Sequence, residues 1–126
     1  MAKEKEGKQP SGSENCIFCS IAKKEIKGEI VYESENFVAF PDIHPKTTGH
    51  TLIIPKKHYT NLIDLPESLG SELLDTLKKV FEIRARQGAE GFNIVMNNFP
   101  AAGQLVMHAH LHLLPRKTND NKGLGL

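Results

Sequence analysis

The sequence predicts an α+β domain, an antiparallel sheet of about five strands with one long and one short helix. Five short β-prone runs recur along it, EIVYE, NFVAF, HTLIIP, FNIVMN and LVMHAHLHLL, each bounded by polar, glycine or proline residues. Between the third and fourth runs, Leu69, Leu73, Leu77, Val80 and Phe81 recur at three- and four-residue steps, the period of an amphipathic helix. The resulting order, α-β-β-β-α-β-β, fits helices packed on one side of an antiparallel sheet.

Taken in order, residues 1–14 (MAKEKEGKQPSGSE) have the composition of a disordered tail. Residues 15–115 read as one folded domain, and residues 116–126 as a polar C-terminal tail. A short helix follows a cap at Asn15, with Ile17, Ile21 and Ala22 at helical spacing. The runs at 29–33 and 36–40, separated by Ser34 and Glu35, suggest a hairpin. Pro55 ends the third strand because it cannot donate to a ladder. The long helix spans Pro66 to Arg86, with Gly88 as its stop. Two more strands, 92–97 and 105–114, are joined by the loop NFPAAGQ.

A formal net charge of +1 shows none of the basic excess of a sequence-independent nucleic-acid binder or an acidic-membrane binder. The first fourteen residues lack the apolar core of a secretory signal, and no run has the length of a transmembrane helix. These features suggest a cytoplasmic protein, in which a pair of cysteines serves more often as a metal or redox site than as a structural bridge.

The stretch MHAHLHLL (107–114) carries the chemistry. On a strand, His108, His110 and His112 share one face while Met107, Ala109, Leu111 and Leu113 line the other. At about 3.3 Å per residue the outer pair stands roughly 13 Å apart along the backbone, too far to converge on one ion. The three imidazoles must therefore divide their work. A neutral ring in the middle, oriented through its second nitrogen, is suited to be a nucleophile. Cys16-Ile-Phe-Cys19 has the spacing of half a tetrahedral zinc site. Redox use of the pair fits less well, since no strand precedes it.

The triad pattern, together with AFPDIHPKTTGHTLIIPKKH (39–58) and NNFPAAGQ (97–104), resembles the histidine triad (HIT) superfamily of nucleotide hydrolases and transferases, and most closely its HINT-like branch. That resemblance implies that His110 attacks the α-phosphorus of a purine nucleotide and that His112 donates to a phosphate oxygen. It places Gly103 and Gln104 on the phosphates, with Gln104 as a catalytic donor, and Asn97 on the nucleotide. It also sets Asp42 on the ribose hydroxyls and Phe18, Phe40 and Ile43 around the base. Relatives with a CxxC pair imply a structural zinc held by Cys16, Cys19, His50 and His108. His58 falls near the site but outside the reaction, and His44 has no assigned part. A homodimer is also implied.

Related activities fit the same motif: hydrolysis of dinucleoside polyphosphates, nucleotidyl transfer, or nucleotide binding with little turnover. The chain departs from the HINT-like pattern at Leu105, where a hydroxyl residue usually follows the Gly-Gln pair. Without that hydroxyl, slower turnover or a different leaving group is expected. The C-terminal tail also lacks the aromatic residues that some relatives carry.

Overall fold

The computed structural model describes residues 15–123; the expected N-terminal tail lies outside them. Five antiparallel strands form one sheet in the order β1-β2-β3-β5-β4. They are β1 (Tyr32–Glu33), β2 (Phe37–Pro41), β3 (Thr51–Pro55), β4 (Gly91–Val95) and β5 (Leu111–Arg116). Among the described residues two α-helices accompany them, α1 (Ile17–Ala22) and α2 (Gly70–Arg86). The expected fold class, strand number and helix lengths are thus those of the molecule.

The helices lie on opposite faces of the sheet, which corrects the one-sided arrangement expected from element order. Phe18, Cys16 and Cys19 of the α1 segment pack with Val38, Phe40, Leu52 and Ile54. Val80 of α2 packs with Phe37, Ala39, Ile53 and Leu113, the alternate residues of the same strands. The physical sign was the unbroken apolar run: in β2 and β3 the side chains of both faces are buried, as they must be when each face is covered.

Helix starts and stops differ from expectation by about a turn or less. Cys16, not Asn15, caps α1, its sulfur accepting the Cys19 N–H at 3.4 Å. A 3-10 turn at Glu67–Leu69 leads into α2, and Gly88 ends it at a φ of +110°. Arg84, buried on α2, donates through Nε to Thr51 Oγ1 at 3.0 Å and so pins the helix to the start of β3. Gly49 sits beside that contact at a φ of +85°, where a Cβ would meet Arg84 and Pro115 at 3.3 Å. The backbone is thereby fixed one residue before His50. The C-terminal segment is clamped rather than loose through Asp120, whose carboxylate takes Arg116 at 2.8 Å.

The β4–β5 loop stores strain at Phe99, which has a φ of +74° and a ψ of 151°. The loop holds it there, since Gln104 Oε1 accepts its N–H at 2.8 Å. Such a conformation costs a residue with a Cβ roughly 1–3 kcal/mol. Phe99→Gly is therefore expected to raise the melting temperature by roughly 2–5 °C, a gain that calorimetry reads directly.

Candidate active site and metal centre

The triad does not lie wholly on a strand. β5 begins only at Leu111, so His108 and His110 precede it, contrary to the reading of 105–114 as one strand. The cause is local: the His108 carbonyl accepts the Nδ1–H of His110 at 2.8 Å instead of a ladder bond. The Ala109 N–H meets Tyr59 O at 2.6 Å. Alternation nevertheless survives, and His108, His110 and His112 all face the α1 side. Phe18 packs edge-on against His108 and His110, with ring centroids 5.9 and 5.1 Å apart.

At one end stands a compact donor set, Cys16, Cys19, His58 and His108, whose ligating atoms lie within 4.8 Å of one another. His108 Nδ1 is 3.3 Å from Cys16 Sγ and 3.4 Å from Cys19 Sγ, and His58 Nδ1 is 3.3 Å from Cys19 Sγ. Tetrahedral zinc with these ligands needs S···N edges of about 3.5 Å. His108 Nε2–H donates to Pro55 O at 2.8 Å, leaving Nδ1 as the lone-pair nitrogen turned toward the sulfurs. Burial pushes both thiols up, but hydrogen bonds to His108 and His58 bring Cys16 down to about 5, and the sulfur of Cys16 pushes its neighbour higher. The residues fit a closed four-ligand zinc site.

His50 is not in this set, which corrects the expected ligand. Because β3 and β5 are antiparallel, with Thr51 opposite Leu113 and Ile53 opposite Leu111, the start of β3 meets the far end of β5. His50 therefore lands beside His112, and only the chain beyond Pro55 returns to His108. That antiparallel pairing was the available signal for His58.

At the other end, the Lys46 N–H donates to His50 Nδ1 at 3.1 Å, so a neutral His50 carries its proton on Nε2. That proton points to His112 Nδ1 at 2.9 Å and Asp42 Oδ2 at 3.4 Å. Burial keeps His50 below the ordinary histidine range. Burial, with His110 and His50 as neighbours, brings His112 down to about 4. At neutral pH His112 accepts at Nδ1 and presents an Nε2–H. Asp42, His50 and His112 could group around a cation by distance, but a metal on His50 Nε2 would require Nδ1 protonated against the Lys46 N–H. The group is a proton chain.

The His112 shift has a stability consequence. Folded His112 resists a proton that the unfolded chain accepts near pH 6.5, so stability is complete above 6.5 and is lost as pH falls toward 4. Burial makes the largest contribution to that shift, His110, His50 and Lys46 add to it, and Asp42 opposes it. Its size corresponds to roughly 3 kcal/mol. Urea titrations from pH 7.5 to 4.5 are expected to show this loss, and His112→Asn to flatten the slope.

His110 lies between the two ends, 8 % exposed. Its Nδ1–H is committed to a carbonyl, which leaves Nε2 with a lone pair, and burial holds the ring below the ordinary range. The ring lines a cavity of about 1380 Å³ with His112, Asp42, Asn97, Gly103 and Ile43. Phe18, Phe40, Ile21, Ile30 and Leu52 form its apolar wall, suited to an aromatic base. Gln104 is a correction. It is 2 % exposed, and its amide donates to Thr60 O at 2.6 Å and Val106 O at 3.0 Å. It staples the loop and does not offer a hydrogen to the cavity. Gly103 lines the cavity, but its N–H is taken by Pro100 O.

Residues 23–119 match the HIT domain family. A HIT-like protein of Methanocaldococcus jannaschii is 43% identical over 107 residues, covering 85% of this chain and 83% of its own. The adenosine 5'-monophosphoramidase hnt1 of Schizosaccharomyces pombe is 38% identical over 112 residues, covering 89% and 81%. A solved structure, a Zn-bound histidine triad family protein from Mycobacterium smegmatis, superposes with a TM-score of 0.80 at 37% identity, covering 87% of this chain and 81% of that one.

Proposed function

The chain belongs to the HIT domain family, and from that membership and its histidine geometry we propose that it hydrolyses purine nucleoside 5'-phosphoramidates, or related esters and anhydrides of nucleoside monophosphates. The observation that carries the reading is His110: its Nδ1–H is held by the chain's own carbonyl and its Nε2 is free beside the cavity. Nε2 attacks the α-phosphorus, and the bond to the leaving group breaks with its electron pair departing on an oxygen, or on a nitrogen that takes up a proton from solvent as it leaves. Water then attacks the same phosphorus and gives up a proton to solvent, the N–P bond breaks with its electron pair returning to Nε2, and nucleoside monophosphate leaves with His110 restored.

His112 stabilises charge on a phosphate oxygen through its Nε2–H, which the Asp42–His50 chain keeps aimed outward. Asp42 retains acceptor capacity for ribose hydroxyls, since each carboxylate oxygen can take two hydrogen bonds. Zinc on Cys16, Cys19, His58 and His108 would supply rigidity. His108, clamped there and at Pro55 O, offers the carbonyl that orients His110. The relative named adenosine 5'-monophosphoramidase supports an amine leaving group.

Anhydride cleavage is the second reading. Leu105, 90% exposed, lines the cavity with no donor of its own, so the leaving group is not met by a hydroxyl there. A homodimer is part of the proposal, supported by β4, an edge strand that exposes Phe92 and Ile94. So is residence in the cytoplasm; among the described residues no helix is long and apolar enough to cross a membrane. The test is release of AMP from adenosine phosphoramidates and diadenosine polyphosphates. Release from either class supports hydrolysis; from neither, the protein is a nucleotide-binding module.

A further inference from the structure

The cavity is larger than the roughly 300–1,000 Å³ typical of small-molecule sites, and its wall beyond His112 carries a cation that the reaction described above does not use. Lys46 lines the cavity together with His44. Its side chain is exposed, and none of the ion pairs among the described residues includes it. Its backbone N–H caps His50 at 3.1 Å, which fixes where the residue sits. The contacts run from the Lys46 N–H to His50 and from His50 to His112 at 2.9 Å, and the His112 ring lies 5.2 Å from that of His110. The Lys46 backbone therefore sits at the His50 end of the histidine row, not at the nucleophile. Leu105 adds no polar group to the wall.

Resting on the nucleotide-hydrolase reading, we infer that Lys46, assisted by His44, is a specificity-determining residue that recognises an anionic leaving group, the phosphate or polyphosphate of a nucleoside phosphoanhydride. When the bond between the α-phosphorus and the bridging oxygen breaks, the oxygen departs with its electron pair as part of a phosphate. An ammonium within reach of that phosphate attracts it, whereas a neutral amine gains nothing from the same charge. Asp42 would oppose a phosphate at this end, but Oδ1 accepts the His44 N–H at 2.9 Å and Oδ2 faces the imidazoles.

The experiment compares kcat/KM for diadenosine tetraphosphate with kcat/KM for an adenosine phosphoramidate of a neutral amine, in wild type, Lys46→Ala and Lys46→Arg. The ratio is expected to fall about tenfold in Lys46→Ala, the weight of one charge-assisted contact, and to recover in Lys46→Arg. An unchanged ratio, with both substrates affected alike or neither affected, overturns the assignment. A binding arm separates this from failure of hydrolysis itself: calorimetry of ADP and AMP on His110→Ala, with and without Lys46→Ala. Should wild type cleave neither substrate, the hydrolase reading fails, and the subsite stands only if ADP binds about tenfold tighter than AMP and loses that advantage with Lys46. Equal affinities would overturn it.

Discussion

Replacing His110 by alanine is expected to lower AMP release by at least about 10⁴-fold, as removal of a covalent nucleophile does. The size follows from the lack of a substitute. His108 turns Nδ1 toward two sulfurs and Nε2 toward Pro55 O, and His112 presents a proton, not a lone pair, because its Nδ1 accepts from His50. Of these three rings, only that of His110 keeps an unprotonated nitrogen for the cavity it lines. The loss should fall on kcat far more than on KM, since Phe18, Phe40 and Asn97 still line the nucleotide's place. Stability should change little in comparison, which thermal unfolding of the same variant would check. A variant retaining a tenth of wild-type turnover would remove His110 from the reaction.

The second large effect concerns zinc. Protein purified without chelator is expected to hold about one zinc per chain. Cys16→Ser and His58→Ala should lose it, while His50→Ala should keep it and lose activity through His112. A metal bound a thousandfold above its dissociation constant contributes about 4 kcal/mol, so chelation should lower the melting temperature by on the order of 10 °C. Loss of metal should also lower turnover, because His108 carries the carbonyl that fixes His110. Elemental analysis separates the two histidines: zinc retained by His58→Ala and lost by His50→Ala would contradict the register of β3 against β5.

What could be read from the chain beforehand was mostly what depends on short range. The period of Leu69, Leu73 and Leu77 marked α2, and the alternation around His110 marked a face for chemistry, because helical and strand spacings are properties of consecutive residues. The cysteine spacing likewise indicated half a metal site. The other half depended on pairing: β3 carries the chain away from His50 and returns it at His58, and only the antiparallel register decides which end meets His108. Gln104 failed for a similar reason. Its type suits a phosphate, but the loop's own carbonyls at Thr60 and Val106 claim its amide first. The early ending of β5 came from a side chain taking a backbone acceptor at His108, which no pattern of hydrophobicity reveals.

The tautomers tie these parts together. Two backbone contacts, Lys46 N–H on His50 and His108 O on His110, leave one ring as a donor and its neighbour as a nucleophile. With both rings neutral at pH 7, neither role needs a proton from solvent before the first bond forms.

The most direct test is to quench the reaction within a turnover and locate the nucleotide by peptide mass spectrometry. One nucleoside monophosphoryl group is expected on His110, appearing and decaying as AMP is released. An adduct on His112, or steady AMP release with no adduct on any histidine, would contradict the account.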